Sequence, residues 1–394
     1  MELLAHPDVG EFGPGYIESV TVLDNSTVTV RYGNAYASGT IAWEVCFPKH
    51  LLEHVDPKKV TEWDFWKHPV GNGPYRFTRY VPETLMEFEA NPDYYRGKPR
   101  IERVVLKFVR DAGLAELLSG NVDVMTATNP ARVPMLAAEP RFRVYHEFGG
   151  HVYTIFWQNT HPLFRDPRVR QALTLAINRR EIVRLLNLPE STPVIDGPYT
   201  VRQLRRGGLP EPLPYDPRQA GVLLDAAGYR DRDGVREREG KPFRFAALVS
   251  SRPGWSEIAV YVQEQLRRVG VLMDIRTLDQ GSAWGALGTG KFEAVLNFTA
   301  STLQRFFGED SFIGYHNAGV ATLLRRLPLA MDPDEEDRLR QELAQIFRAE
   351  VPATFLFPRV NTVFAHRRIR GLSTPWRADP IRFMGDLWLE DRSD

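Results

Sequence analysis

Apolar positions along the chain fall into two regimes. In the first, "YIESVTVLDNSTVTVRY" alternates apolar and polar residues on both sides of Asp24-Asn25-Ser26, which predicts a β-hairpin with Val20, Val22, Val28 and Val30 on one face. "GPYRFTRYVPETLMEFEANPDY" and "RIERVVLKFV" read as further β-rich stretches, and "DAGLAELLSG" as a short helix opened by Asp111 and closed by Gly120. From His151 the pattern changes to helices alternating with strands. "HVYTIFWQN" is a buried-strand run, and Asp216-Pro217 opens a helix that Gly228 ends. The next helix puts Ala259, Val262, Leu266 and Val269 on one stripe and stops at Gly270, and "VLMDIRTL" alternates as a strand. Asp332-Pro333 starts a long helix with Leu339, Leu343, Ile346 and Phe347 inward, followed by the strand "TFLFP". The alternation predicts an α/β lobe of about 220 residues, the size of one large domain.

One run is parsed more finely. In "LFRDPRVRQALTLAINRREIVRLL", Asp166 caps and Pro167 begins a helix with Val169, Ala172, Leu173, Ala176 and Ile177 inward. Asn178 with Glu181 restarts it as a capping-box-like pair, and the charges are expected mostly on the solvated face. The Pro/Gly-punctuated stretch "LPESTPVIDGPYTVRQLRRGGLPEPLPYDP" reads as a connection long enough to form a functional surface, or else a disordered excursion.

Composition narrows the function classes. With 394 residues, two domains or lobes are expected, and 43% apolar with 25% charged residues is the balance of a soluble globular protein. Fifty Lys and Arg cancel fifty Asp and Glu, so no net field favours nucleic acid or an anionic membrane. The single cysteine, Cys46, has no internal partner and no neighbours to hold a metal cluster. The chain as written shows neither an export signal nor an apolar run of membrane-spanning length.

Catalytic motifs are few. "HLLEH" sets His50 and His54 at helical i, i+4 spacing with Glu53 between them, the pattern of a zinc peptidase. It is hemmed between Pro48 and Pro57, and no third ligand stands at a diagnostic spacing, so a short surface helix is the other reading. "DRDGVREREG" begins like a calcium loop at Asp231, Asp233 and Gly234 but lacks the later oxygen ligands, which leaves a polar turn. No nucleophile elbow or phosphate-cradling glycine loop occurs, and no cofactor or metal is expected. Trp157, Trp255, Trp284 and Trp376 fall near loops or element ends, where aromatic side chains line ligand clefts.

Six blocks in order resemble the family 5 extracellular solute-binding proteins, the dipeptide and oligopeptide receptors of bacterial ABC importers. They are "GNGPYRFTRY", "EANPDYYRGKPRIERVVLKFVRD", "LLSGNVDVM", "FWQNTHPLFRDPRVRQALTLAINRREIV", "YDPRQAGVLLDAAGYRDRDGVREREGKPF" and "GYHNAGVATLL". The resemblance implies an α/β, two-lobed periplasmic-binding-protein-like fold of type II, closing by hinge motion on a solute that it delivers to a membrane permease. It implies β-rich lobe one at residues 1–150, a C-terminal α/β lobe at 151–373 and a return to lobe one at 374–394. The two crossovers are expected near Gly149–Tyr153 and Gly371–Pro375. It further implies a non-enzymatic monomer in the periplasm or anchored outside the membrane. Family members carry a long portion before the hairpin, so the resemblance also implies an N-terminally truncated chain, either a fragment or a shortened descendant, whose alternative fate is a non-binding remnant.

The resemblance also directs attention to the ligand site. Peptide-binding branches hold the peptide ammonium with an aspartate ten residues after a strand phenylalanine. Here that phenylalanine is Phe292, ten residues on stands Thr302, and no acid occurs between Glu293 and Glu309. An ammonium without an anionic partner leaves desolvation uncompensated, so a free-amino peptide is disfavoured, and an anion, a sugar or a blocked peptide fits better. The expected ligand-binding set is Trp157, Gln158, Trp284, Asn297, Thr299, Ser301, Thr302 and Arg305.

Overall fold

The computed structural model describes residues 17–32, 48–109, 112–127, 133–199, 201–206, 210–252, 254–299, 303–373 and 379–390. Cys46, Asp111, Ser301, Thr302, Pro375 and Trp376 lie outside them. The first strands, β1 (Ile17–Val22) and β2 (Val28–Tyr32), form the expected hairpin, with Val20 opposite Val30 and Val22 opposite Val28. Its turn is fixed by Asp24, whose carboxylate accepts from the Ser26 N–H at 2.7 Å. Helix α1 (Lys49–Leu52) is followed by the antiparallel meander β3 (Tyr75–Val81), β4 (Leu85–Ala90) and β5 (Arg103–Lys107). Asn91 ends β4 with two side-chain hydrogen bonds, donating to the Gly73 carbonyl and accepting from the Asp93 N–H.

Helix α2 (Gly113–Leu118), strand β6 (Val124–Ala127) and helix α3 (Val133–Ala137) lead into β7 (Phe142–Trp157), sixteen residues long. Beyond it come α4 (Pro167–Leu175), α5 (Arg179–Leu185), α6 (Val201–Arg206) and α7 (Pro217–Ala226). The small antiparallel sheet β8 (Arg230–Arg232), β9 (Val235–Arg238), β10 (Lys241–Pro242) replaces the calcium-like loop. There Asp231 accepts from the Gly234 N–H, an ordinary polar turn. Then β11 (Arg244–Ser250), α8 (Trp255–Arg268), β12 (Leu272–Leu278), α9 (Gln280–Thr289) and β13 (Ala294–Thr299) make two parallel crossovers. Helices α10 (Leu303–Phe307), α11 (Ala318–Arg326) and α12 (Pro333–Glu350) follow, before β14 (Ala353–His366). The chain finishes with the pair β15 (Ile369–Arg370) and β16 (Trp388–Leu389).

Six strands form one sheet in the order β12-β11-β13-β7-β14-β6. Side chains of β13 alternate between its two faces, as the two-residue period requires. Ala294, Leu296 and Phe298 enter the core that includes α4, α5, α7 and α8, while Val295 enters the core built with α9 to α12. The sheet is therefore covered by helices on both sides, which explains why its strands read as continuous apolar runs.

Strands β7 and β14 run antiparallel along nearly their whole length and change surroundings midway. Their lower halves, Val152–Phe156 and Ala353–Pro358, sit between the helical layers. Their other halves, Phe142–Phe148 and Val360–His366, pack with β6, β15 and β16 through Tyr145, Val363, Ala365, Ile369, Leu372 and Leu387. The register breaks between Pro358 and Val360, opposite Gly149-Gly150-His151. Strand β14 continues unbroken through Arg359 to His366 and pairs with β7 on both sides of that break. Gly371 allows a close approach: at φ +100° it lets the backbone pass Asp386, whose carbonyl would stand 2.6 Å from an added Cβ.

The α4–α5 segment follows its parsing. Asp166 accepts from the Arg168 N–H, Asn178 from the Glu181 N–H, and Val169, Ala172, Leu173, Ala176 and Ile177 are buried. Most of its charges are exposed, as expected, and two arginines are buried. Arg170 donates to the carbonyls of Phe164, Arg165, Glu350 and Val351, tying the start of α4 to the end of α12. Arg179 meets Asp196 at 2.5 Å and donates to the carbonyls of Ile195, Leu213 and Phe355. The long connection after α5 is accordingly anchored at Thr192, Ile195, Asp196 and Tyr199, all buried, rather than displayed as a loose surface.

Candidate ligand site

Parallel strands in an open α/β sheet end toward the ligand crevice, because the helices that follow them leave a gap beyond the last strand residues. Here those ends are Ser250, Leu278 and Thr299, and Val152 of β7 stands opposite Thr299. This edge coincides with the break in the β7–β14 register, so one place collects the strand ends and the change of surroundings along β7 and β14.

An aromatic group occupies it. The Tyr153 ring lies 4.6 Å from Phe298, 4.7 Å from Trp255 and 5.0 Å from Phe357, and Trp255 lies 5.0 Å from Phe298. Three strands supply these rings, β7, β13 and β14, with α8 contributing Trp255 at its first position after Gly254. Two groups close the cluster from the crossing side: His151, 6.0 Å from the Phe298 ring, and Arg359, whose guanidinium lies 5.6 Å over the same ring. Burial holds the Tyr153 hydroxyl above its usual pKa, partly offset by the charges of Arg359 and Arg252. Burial, and then the Arg359 charge, hold His151 below the ordinary imidazole value.

Polar atoms rim the group on the β11 side. Ser250 donates its hydroxyl to Gln280 at 2.7 Å and accepts from the Arg252 N–H. The nearby acids are committed elsewhere: Asp279 caps α9 through Ser282, and Glu257 caps α8 through the Gly254 N–H.

The residues expected from the sequence are dispersed by the fold. Trp157 sits opposite Ala294, five residues or about 17 Å along β7 from Val152. It is buried, donates to the Thr354 hydroxyl and packs on Phe164 and Phe245. Gln158 is next to it and holds the carbonyls of Gly290 and Phe312. Trp284 on α9 is half-buried near Phe306, in the opposite helical layer from the aromatic group. Asn297 and Thr299 lie in β13 on that same opposite face, fully buried, with Thr299 bonded to the Thr154 hydroxyl at 2.6 Å. Arg305 is exposed and lines a separate recess of about 560 Å³ with Gln304, Phe312, Leu324 and Arg325. Of the set, Thr299 alone ends at the crevice edge; Ser301 and Thr302 are outside the described residues.

Sequence reading passed over His151, Tyr153, Arg252, Phe298, Phe357 and Arg359. Signals pointed to two of them: Arg252 comes two residues after an apolar strand, and Arg359 interrupts the apolar run "TFLFPRVNTVFAH" just after a proline. The zinc pattern does not assemble. Helix α1 stops at Leu52, so His50 and His54 do not share a helical face, and among the described residues no three metal-ligating side chains cluster.

Comparison with known proteins now fixes the lineage. The chain belongs to the bacterial extracellular solute-binding proteins, family 5 (Middle), whose family model matches residues 2–307. Similar proteins include the oligopeptide-binding protein AppA of Bacillus subtilis, 27% identical over 373 residues, covering 86% of this chain and 65% of that protein. Another is the di/tripeptide-binding protein 2 of Pseudomonas aeruginosa, 25% identical over 305 residues, covering 72% of this chain and 55% of the relative. The chain thus spans between about half and two thirds of these relatives' length. Among solved structures, the ABC transporter substrate-binding protein CtaP of Listeria monocytogenes superposes with a TM-score of 0.83 at 19% identity, covering 99% of this chain and 81% of that one. Bacillus subtilis AppA in complex with a nonapeptide gives 0.75 at 22% identity, with 99% and 82% covered. These likenesses establish the two-lobed α/β fold. No helix of the described residues is long and apolar enough to cross a membrane.

Proposed function

We propose that this protein is the solute-binding receptor of an ABC-type importer, holding a peptide or other small polar solute between two lobes and handing it to a membrane permease. The observation that carries the reading is the coincidence at Gly149–His151 and Arg359: the only described strands shared by both halves change surroundings at the spot where the aromatic group meets the strand ends. A solute seated there bridges the halves, and its contacts favour the closed arrangement. Lobe one comprises the β-rich first 150 residues together with the chain after Arg359; residues 151–358 form the second lobe. The reading is of a carrier rather than a catalyst, acting as a monomer outside the cytoplasmic membrane, with relatives named for oligopeptides and di- or tripeptides in its support.

Calorimetric titration against a panel of peptides, sugars and metal chelates tests it, with small-angle scattering on the same samples. A bound solute raises Tm and lowers the radius of gyration. A panel without a single binder overturns the proposal.

A further inference from the structure

A second recess lies away from the crevice, on the flank of the helical lobe between α10 and α11. Its volume is about 560 Å³, within the range of small-molecule pockets, and Phe312, Ala321 and Leu324 give it an apolar lining. Backbone bonds shape its edge: the Phe312 N–H donates to the Arg305 carbonyl at 2.9 Å and the Gly308 N–H to the Gln304 carbonyl at 2.8 Å. The turn so folded sets Arg305, Glu309 and Asp310 around one opening, and α11 adds Arg325.

Of these four charges, two are committed and two are free. Glu309 pairs with Arg325, whose guanidinium also donates to the Thr322 hydroxyl. The Gln304 amide is taken up by the Leu324 carbonyl, which ties α10 to α11. Arg305 and Asp310 are exposed, and neither side chain has a partner among the described residues. They share one backbone-closed turn, yet they do not pair with each other. Opposite charges as near in sequence do meet elsewhere, as in Arg141 with Glu139, Lys67 with Asp64, Arg340 with Glu336 and Arg267 with Glu264. A lone surface charge is ordinarily solvated, whereas two of opposite sign flanking an apolar hollow complement a zwitterion.

We infer that the recess is a second ligand site, for a free hydrophobic α-amino acid, with its carboxylate on Arg305, its ammonium on Asp310 and its side chain over Phe312, Ala321 and Leu324. Arginine offers a carboxylate a planar pair of donors, and aspartate accepts from an ammonium. A lining that balances two cations with two anions disfavours a simple anion or a simple cation, since each leaves one free charge unanswered. The recess backs onto the α9–α12 core, where Phe312 meets Phe306 at 6.4 Å, and so lies on the opposite face of the sheet from the Tyr153–Phe298 group. Occupancy of one site therefore does not block the other, and the inference stands independently of what the crevice holds.

Saturation-transfer NMR and calorimetry on the intact protein test it with L-leucine, L-alanine, N-acetyl-leucine, which lacks the ammonium, and leucinamide, which lacks the carboxylate. Leucine binds about fivefold or more tighter than alanine, because it brings more apolar area to the lining. Each leucine derivative binds about tenfold or more weakly, the usual effect of losing a charge-assisted hydrogen bond. Arg305→Gln and Asp310→Asn, both at exposed positions, each reduce leucine affinity to a similar degree with Tm unchanged, while Arg359→Gln in the crevice has no effect. Absence of leucine binding, binding that survives both Arg305→Gln and Asp310→Asn, or equal binding of leucine and its derivatives overturns the inference. Loss of leucine binding in Arg359→Gln assigns the amino acid to the crevice and overturns it as well. None of these outcomes bears on the receptor reading, which the solute panel decides.

Discussion

Arg179 and Asp196 meet at 2.5 Å in the interior of the helical lobe, with the second Asp196 oxygen accepting from the Leu213 N–H. The pair joins α5 to the long connection and, through the Phe355 carbonyl, to β14. Removing the acid strands a buried cation, which costs about 3–5 kcal/mol. Asp196→Ala therefore lowers the urea midpoint markedly, and Arg179→Met/Asp196→Ala recovers a large part of the loss. A double variant as unstable as the single one would show that packing, not the charge, holds the connection.

Arg170 occupies a related position with no acid bonded to it. Burial lowers its pKa to about 10, which still leaves it charged at neutral pH, and four backbone carbonyls receive its N–H groups. Lysine carries the charge but not the planar fork, so Arg170→Lys leaves carbonyls at the end of α12 or before α4 unpaired. The expected cost is about 2 kcal/mol, taking the usual penalty for buried groups that lose a donor. Denaturant unfolding measures it, and an unchanged midpoint would contradict this role.

Two histidines on β7 set the acid behaviour. Burial depresses the pKa of His146, and burial with the Arg359 charge depresses that of His151, both below the ordinary value of 6.5. Below 6.5 the unfolded chain takes up protons that the folded chain resists, so the unfolded state binds more protons and stability falls. The contribution is fully present above pH 6.5 and is lost as pH drops from there through the folded values. Unfolding midpoints measured between about pH 7.5 and 5 decline, and His146→Gln/His151→Gln flattens that decline. A slope identical in wild type and variant would assign the acid sensitivity to other groups.

Local structure was legible where one short-range force decides it. Asp166, Asn178 and Asp216 cap the helices they precede because a carboxylate or amide oxygen reaches the second or third N–H whatever surrounds it. The valine pairs of the first hairpin follow from alternation and turn chemistry in the same way. The site was less legible because it depends on which strand ends lie side by side. Trp157 and Phe298 are equally aromatic and equally strand-like in sequence, yet antiparallel pairing of β7 and β13 sends Trp157 to the far end and Phe298 to the crevice. Arg170 and Arg179 looked like surface charges for a similar reason: the carbonyls and the acid that compensate them are 5 to about 180 residues away in the chain.

Asn297 separates the two accounts of the site. Its oxygen accepts from the Phe298 N–H, while its amide nitrogen is buried without any hydrogen-bond partner, on the face of β13 away from Tyr153 and Arg359. An amide donor in that condition costs about 1–3 kcal/mol relative to an apolar replacement of similar size. Valine suits a central strand and removes the unpaired donor. If the solute is held by the Tyr153–Phe298–Arg359 group, Asn297→Val leaves its affinity within a factor of two and keeps or raises Tm. If Asn297 itself donates to the solute, the same variant weakens binding about tenfold or more, the usual effect of losing a buried hydrogen bond. Parallel titrations of Asn297→Val and Arg359→Gln with one solute found by the peptide, sugar and chelate panel decide between the faces of the sheet, since only one of the two substitutions is expected to matter.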